Sequence, residues 1–163
     1  DIAGIILYSP NINLYDSRSF ILTQPWGLQI ARLIVGGKYY SFNAPIEAEK
    51  YWNTKYRIEA LVRTKNLLQY TMKKEIFNTV HQPVLMCYYH KNETEQDDVV
   101  SIPAMLQMFD NLGTANSLKR KINIPNAGVH ALVSGLWAHD IPAVENATTI
   151  FMKEVLNMEV VNQ

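Results

Sequence analysis

Pro83-Val84-Leu85-Met86-Cys87-Tyr88-Tyr89, the polar loop His90-Lys91-Asn92-Glu93-Thr94-Glu95-Gln96-Asp97-Asp98, and, some thirty residues on, Asn126-Ala127-Gly128-Val129-His130 decide how this chain folds. The first stretch is an unbroken apolar run, which suits a strand buried on both faces of a sheet. Ser101 can then cap a helix whose apolar positions Ile102, Met105, Leu106 and Phe109 follow helical spacing, and Asn111-Leu112-Gly113 stops it. From Leu118 to Ile124 apolar residues alternate with charged ones, the pattern of a strand near a sheet edge, and Pro125 closes it. Strands separated by a helix pair in parallel through a right-handed crossover. Ligand sites of open parallel sheets lie beyond the carboxyl ends of the strands, so the loops carrying Asp97 and His130 rise from the same edge.

Upstream, Ile5-Ile6-Leu7-Tyr8 is a second unbroken apolar run, stopped by Ser9-Pro10. Downstream, a last helix is expected from Ile141-Pro142 to about Met158, with Val144, Ala147, Phe151, Val155 and Met158 toward the sheet. The fold class read from these parts is α/β, with about three parallel strands and flanking helices. Between the first two strands no comparable strand is expected. Ile30, Leu33 and Ile34 share a helical face before Gly36-Gly37, and a long helix is expected from about Asn53 to Phe77 with Ile58, Leu61, Val62, Leu68, Met72 and Ile76 along one stripe. This stretch is rich in rings: Trp26, Tyr39, Tyr40, Phe42, Tyr51, Trp52, Tyr56 and Tyr70. The chain therefore divides into a core strand (1–12), a helical insertion (13–80) and a C-terminal α/β part (81–163).

With 163 residues, 48% of them apolar, there is enough hydrocarbon for a real core. A formal net charge of zero and the lack of any long basic stretch argue against nucleic acid or a charged membrane surface as partner. No apolar run reaches the length of a membrane span. The single cysteine, Cys87, sits mid-strand and reads as a small buried residue, with no second cysteine to pair with. The chain opens on Asp1-Ile2-Ala3-Gly4 and passes at once into a strand, so a preceding segment is expected. Asn92-Glu93-Thr94 and Asn146-Ala147-Thr148 match the glycosylation triplet without establishing a compartment.

The candidate site is a carboxylate and a histidine. An acid beside a histidine accepts a hydrogen bond from Nδ1–H, fixes the ring tautomer and stabilises the imidazolium formed when the base takes a proton. His130 is the candidate base and Asp97 the candidate acid, its spacing Asp-x-Val-Val-Ser leaving Ser101 at the helix cap; the neighbouring Asp98 stays open as an alternative. Glu93 and Glu95 read as solvated, His90 as a polar strand end from which a histidine could approach the site, and His81 and His139 lack metal-ligand spacing. A nucleophilic serine needs a sharp strand-to-helix turn flanked by small residues. Ser9 is followed by proline and Ser134 comes after His130, and no G-x-S-x-G occurs among the seven glycines.

These residues resemble the α/β-hydrolase superfamily, in its bacterial esterase, lipase and lysophospholipase-like branch. Ala3-Gly4-Ile5-Ile6-Leu7-Tyr8-Ser9-Pro10 looks like the strand after the nucleophile helix, 13–80 takes the place of the helical lid, Pro83-Val84-Leu85-Met86 opens the strand before the acid loop, and Asn126 to His130 resembles the histidine loop. The resemblance implies the C-terminal portion of a serine hydrolase acting on a small carboxylic ester or related acyl substrate. Asp97 matches the triad acid and His130 the base, while the nucleophile elbow and oxyanion loop belong before residue 1. No cofactor or metal is implied. The expected partners are the missing N-terminal half and, at the open strand edge by Ile5, a second copy of the chain. A non-catalytic binding or scaffolding protein with the same architecture is the alternative.

Overall fold

The structure is a computed structural model and describes residues 2–159. In chain order it comprises β1 (Ile5–Tyr8), α1 (Gly27–Val35), β2 (Tyr39–Ser41), α2 (Ile46–Glu49), β3 (Lys55–Arg57), α3 (Ile58–Thr71), α4 (Lys74–Phe77), β4 (Val84–Tyr88), α5 (Ile102–Asp110), β5 (Lys119–Asn123) and α6 (Ile141–Glu154). Short 3-10 helices, Ser17–Thr23 and Asn116–Leu118, precede α1 and β5.

Strands β1, β4 and β5 form one parallel sheet with β4 in the middle. Ile5 lies opposite Val84 and Tyr8 opposite Cys87; across the other side Val84 faces Lys119 and Tyr88 faces Asn123. The two-residue period of β4 explains its unbroken apolar sequence. Val84 and Met86 pack on one face against Met105, Met108 and Phe109 of α5. Leu85 and Cys87 pack on the other against Val144 and Phe151 of α6. Neither face reaches water, so neither position tolerates a polar residue.

Both covering helices begin on local sequence signals. Ser101 Oγ accepts from Ala104 N–H at the start of α5, with Pro103 in the first turn. Asp140 Oδ1 accepts from Ala143 N–H ahead of Pro142 in α6. The edge strand β5 keeps its charges outward, where Lys121 pairs with Asp110 at 3.0 Å and Lys119 Nζ donates to the Phe109 carbonyl.

The stretch between β1 and β4 departs from its sequence reading. It holds an antiparallel strand pair, β2 with β3, where only helices were expected. Its rings account for the pairing: Tyr39, Tyr40 and Tyr56 favour extended backbone, Phe42 stacks on Tyr56 at 6.0 Å, and the Lys55 ammonium sits over Tyr39. The expected long helix accordingly starts at Ile58 rather than near Asn53. It also breaks at Met72-Lys73: Thr71 Oγ1 bonds back to the Leu67 carbonyl at 2.7 Å and Lys73 is extended before α4. Helix α1 ends as the Gly36-Gly37 signal requires, with Gly36 left-handed at φ +74°. Arg32 of α1 and Arg57 of β3 both bond Glu59 of α3, tying the three together. The Ile30, Leu33, Ile34 stripe faces outward, Leu33 being 83% exposed.

Helix α6 stops at Glu154, short of the expected Met158, because Asn157 turns into the left-handed region and Leu156 folds back onto Gly4. No helix among the described residues is long and apolar enough to cross a membrane.

Candidate active site

The loop after β4 folds on itself before it delivers its acid. Asn92 Oδ1 accepts from the Thr94 and Glu95 N–H groups, Lys91 N–H donates to the Glu95 carbonyl, and the Lys91 ammonium holds the Glu95 carboxylate at 2.8 Å. The chain then returns to the strand end, where Asp97 N–H donates to the Tyr89 carbonyl. This compact closure spends the side chains of Asn92 and Glu95 on the loop itself and brings Asp97 to the sheet edge.

Asp97 is wholly buried. Its Oδ1 accepts from the Val99 and Val100 N–H groups at 3.0 Å each, and its Oδ2 lies 2.8 Å from His130 Nδ1. Asp98 is exposed, and of the two neighbours Asp97 is the one bonded to His130. Burial works to raise the Asp97 pKa; the hydrogen bond and charge of His130, with the two backbone N–H groups, outweigh it and hold the carboxyl below its ordinary value.

His130 sits in a loop closed by the hydrogen bond from His139 N–H to the Ala127 carbonyl. Ala127 and Leu132 anchor the loop in the α6-side core, Leu132 N–H bonds the His130 carbonyl, and Gly128 supplies a left-handed turn at φ +74°. A carboxylate offers only lone pairs, so His130 Nδ1 carries the proton and Nε2 is left as the basic nitrogen. The imidazole remains one-third exposed while its partner is buried.

Asn123, a residue sequence reading passed over, fastens the two strand ends beneath these loops. Its Oδ1 accepts from His90 N–H and its Nδ2 donates to the His90 carbonyl at 2.7 Å. The signal was a polar side chain at the end of an edge strand. A second omission is Trp137, seven residues past His130, whose ring packs on Trp52 at 5.0 Å.

The other candidates do not join the pair. His81 Nδ1 bonds the Gly113 carbonyl, His139 backs onto Gly128, and among the described residues no three potential metal ligands cluster. Cys87 is buried, and burial pushes its thiol up to about 11. Ser101 caps α5 and Ser134 Oγ accepts from Leu136 N–H within its own turn. Ser9 ends β1 in the left-handed region at φ +43° with its hydroxyl buried and unpartnered. A cleft of about 360 Å³ between α3 and α5, walled by Leu68, Met72, Phe77 and Met108, includes neither Asp97 nor His130.

The parallel sheet, with the Asp97 and His130 loops at its carboxyl edge, resembles part of an α/β-hydrolase fold. Solved structures agree. The chain is similar to a structure reported for the metagenome-derived lipolytic enzymes LipS and LipT, at 12% identity and a TM-score of 0.65, covering 94% of this chain and 56% of that one. It is similar to a soluble variant of monoglyceride lipase from Saccharomyces cerevisiae, solved with a substrate analogue, at 15% identity and a TM-score of 0.56, covering 96% of this chain and 56% of that one. The chain thus spans a little over half the length of each. No protein-family model matches it, and no curated protein matches it in sequence.

Proposed function

We propose that this chain supplies the acid, the base and the lid of a serine hydrolase that acts on carboxylic esters or related acyl substrates. The observation that carries the reading is the buried Asp97 carboxylate, fixed by two backbone N–H groups and bonded at 2.8 Å to His130 Nδ1. In this reading His130 Nε2 removes the proton of a serine hydroxyl as it attacks the acyl carbon, and returns it to the leaving alkoxide. Asp97 stays ionised and stabilises the imidazolium between those steps. The nucleophile and the oxyanion-hole donors come from outside these residues, beside the open edge of β1. The ring-rich insertion 13–80 acts as the lid and offers the acyl chain an apolar surface.

A fluorophosphonate probe applied to the longer parent protein tests this directly. Labelling of one serine, abolished by His130→Ala, is the expected result; labelling undiminished by that substitution overturns the base assignment. The second reading, a non-catalytic binding protein with this architecture, draws on the absence of any hydrogen bond from Ser9, Ser101 or Ser134 to His130. It stands if the parent protein takes up no probe.

A further inference from the structure

The insertion and the His130 loop meet through two indoles. Trp52 follows α2, and Trp137 lies in the loop closed between Ala127 and His139 that also carries His130. Their ring centroids are 5.0 Å apart with the planes tilted by 58°, the edge-to-face range in which aromatic pairs attract. Trp137 Nε1 is buried without a hydrogen-bond partner, so this ring is held by packing alone. Trp52 is 46% exposed and has backbone hydrogen bonding only to Ala48 at the end of its short helix.

We infer that Trp52 is a positioning residue: by packing on Trp137 it clamps the closed Ala127–His139 loop from the insertion side and holds His130 against Asp97. The loop needs such support. Of its two anchors, Ala127 and Leu132 are in the core, but the residues from Val133 to Leu136 lie half-open or exposed. A loop with few buried contacts opens locally at small cost, and each opening breaks the Asp97–His130 hydrogen bond. The Trp pair therefore makes the geometry of the base depend on the seating of the insertion. This rests on the reading of Asp97 and His130 as a working pair.

The test uses the chain as it stands. Paired indoles give a far-ultraviolet exciton couplet in circular dichroism, and the Asp97–His130 bond gives a low-field Nδ1 proton whose exchange with water reports opening of the loop. Trp52→Ala is expected to abolish the couplet and speed that exchange by about tenfold or more, with the urea midpoint little changed. Trp52→Phe and Trp137→Phe, which keep a ring, are expected to restore slow exchange. Trp52→Leu carries the same expectation as the alanine variant if the latter does not fold. Loss of the couplet with unchanged exchange overturns the clamp and leaves the pair intact. Absence of the low-field proton in the unsubstituted chain overturns the pair itself, and the clamp with it.

Discussion

At the scale of single residues, Asp97 is a buried carboxylate with both oxygens committed. Three donors reach its two oxygens, and no water can replace them because the residue has no exposure. Asp97→Asn keeps the shape and removes the charge, so one of its NH2 hydrogens must face either His130 or the Val99–Val100 N–H pair. The expected cost is about 1–3 kcal/mol, read from urea unfolding near neutral pH. Under the proposed hydrolase function, the same change in a protein that also carries the nucleophile is expected to lower turnover by roughly 10⁴, because the tautomer of His130 is no longer fixed. The pH dependence has a definite sign. The folded Asp97 pKa lies below its ordinary value, so its stabilisation is whole above about pH 4 and is lost as pH falls through the lower folded value. The gap between the unsubstituted chain and Asp97→Asn should close in that window; parallel curves contradict the assignment. Sequence favoured Asp97 through its spacing to Ser101 and kept Asp98 as the alternative, since what separates them is which carboxylate the returning loop turns inward.

Elements show where sequence reading stops. Capping at Ser101, the start of α6 at Ile141-Pro142 and the Gly36-Gly37 stop were legible because each depends on a local backbone preference, a local hydrogen bond or a local left-handed turn. The β2–β3 pair was not, because residues sixteen or so apart earn their strand character only by meeting, as Tyr40 meets Tyr56. Two predictions belong here. Gly128 is left-handed, and a Cβ built there would lie 2.9 Å from His139 Nδ1. Gly128→Ala is therefore expected to destabilise by about 1–2 kcal/mol and to weaken the low-field His130 proton; a neutral result in urea and in that spectrum shows the loop has another way to turn. Glu59 joins α1, β3 and α3 through Arg57 and Arg32. Its hydrogen bond with Arg57 first, then one with its own backbone N–H, and lastly the hydrogen bond and charge of Arg32, lower its pKa to about 2 against the opposing effect of desolvation. Its contribution is present above the ordinary glutamate range and is lost as pH falls toward 2. Amide protection factors in β2, β3 and the first turn of α3 should fall across that range, and in Glu59→Gln they should already be low at neutral pH. Protection that is the same in both proteins removes Glu59 as the tie.

At the scale of the whole molecule, the order strand, helix, strand was enough to give a parallel sheet, because the handedness and spacing of such crossovers leave few alternatives. It was also enough to raise a question about β1, which has β4 on one side and no strand among the described residues on the other. The direction of its free groups follows from the ladder. Ile5 and Ser9 N–H donate to the Pro83 and Cys87 carbonyls of the β4 side, so the alternate residues Ile6 and Tyr8 direct theirs to the open edge. An edge of this kind pairs with another strand when one is offered, and for the chain alone that strand is a second copy. Sedimentation velocity should show reversible, concentration-dependent association of the chain. Ile6→Pro removes an outward donor without touching the bonds to β4, and it should weaken association by at least about tenfold while leaving the far-ultraviolet spectrum of the sheet and helices in place. A second outcome follows if the nucleophile-bearing part of a hydrolase is its natural neighbour: adding that part should dissolve the self-association and expose labelling by a fluorophosphonate in the same titration. A chain that stays monomeric at all concentrations would mean that this edge is already shielded, and the proposed neighbour would have to dock elsewhere.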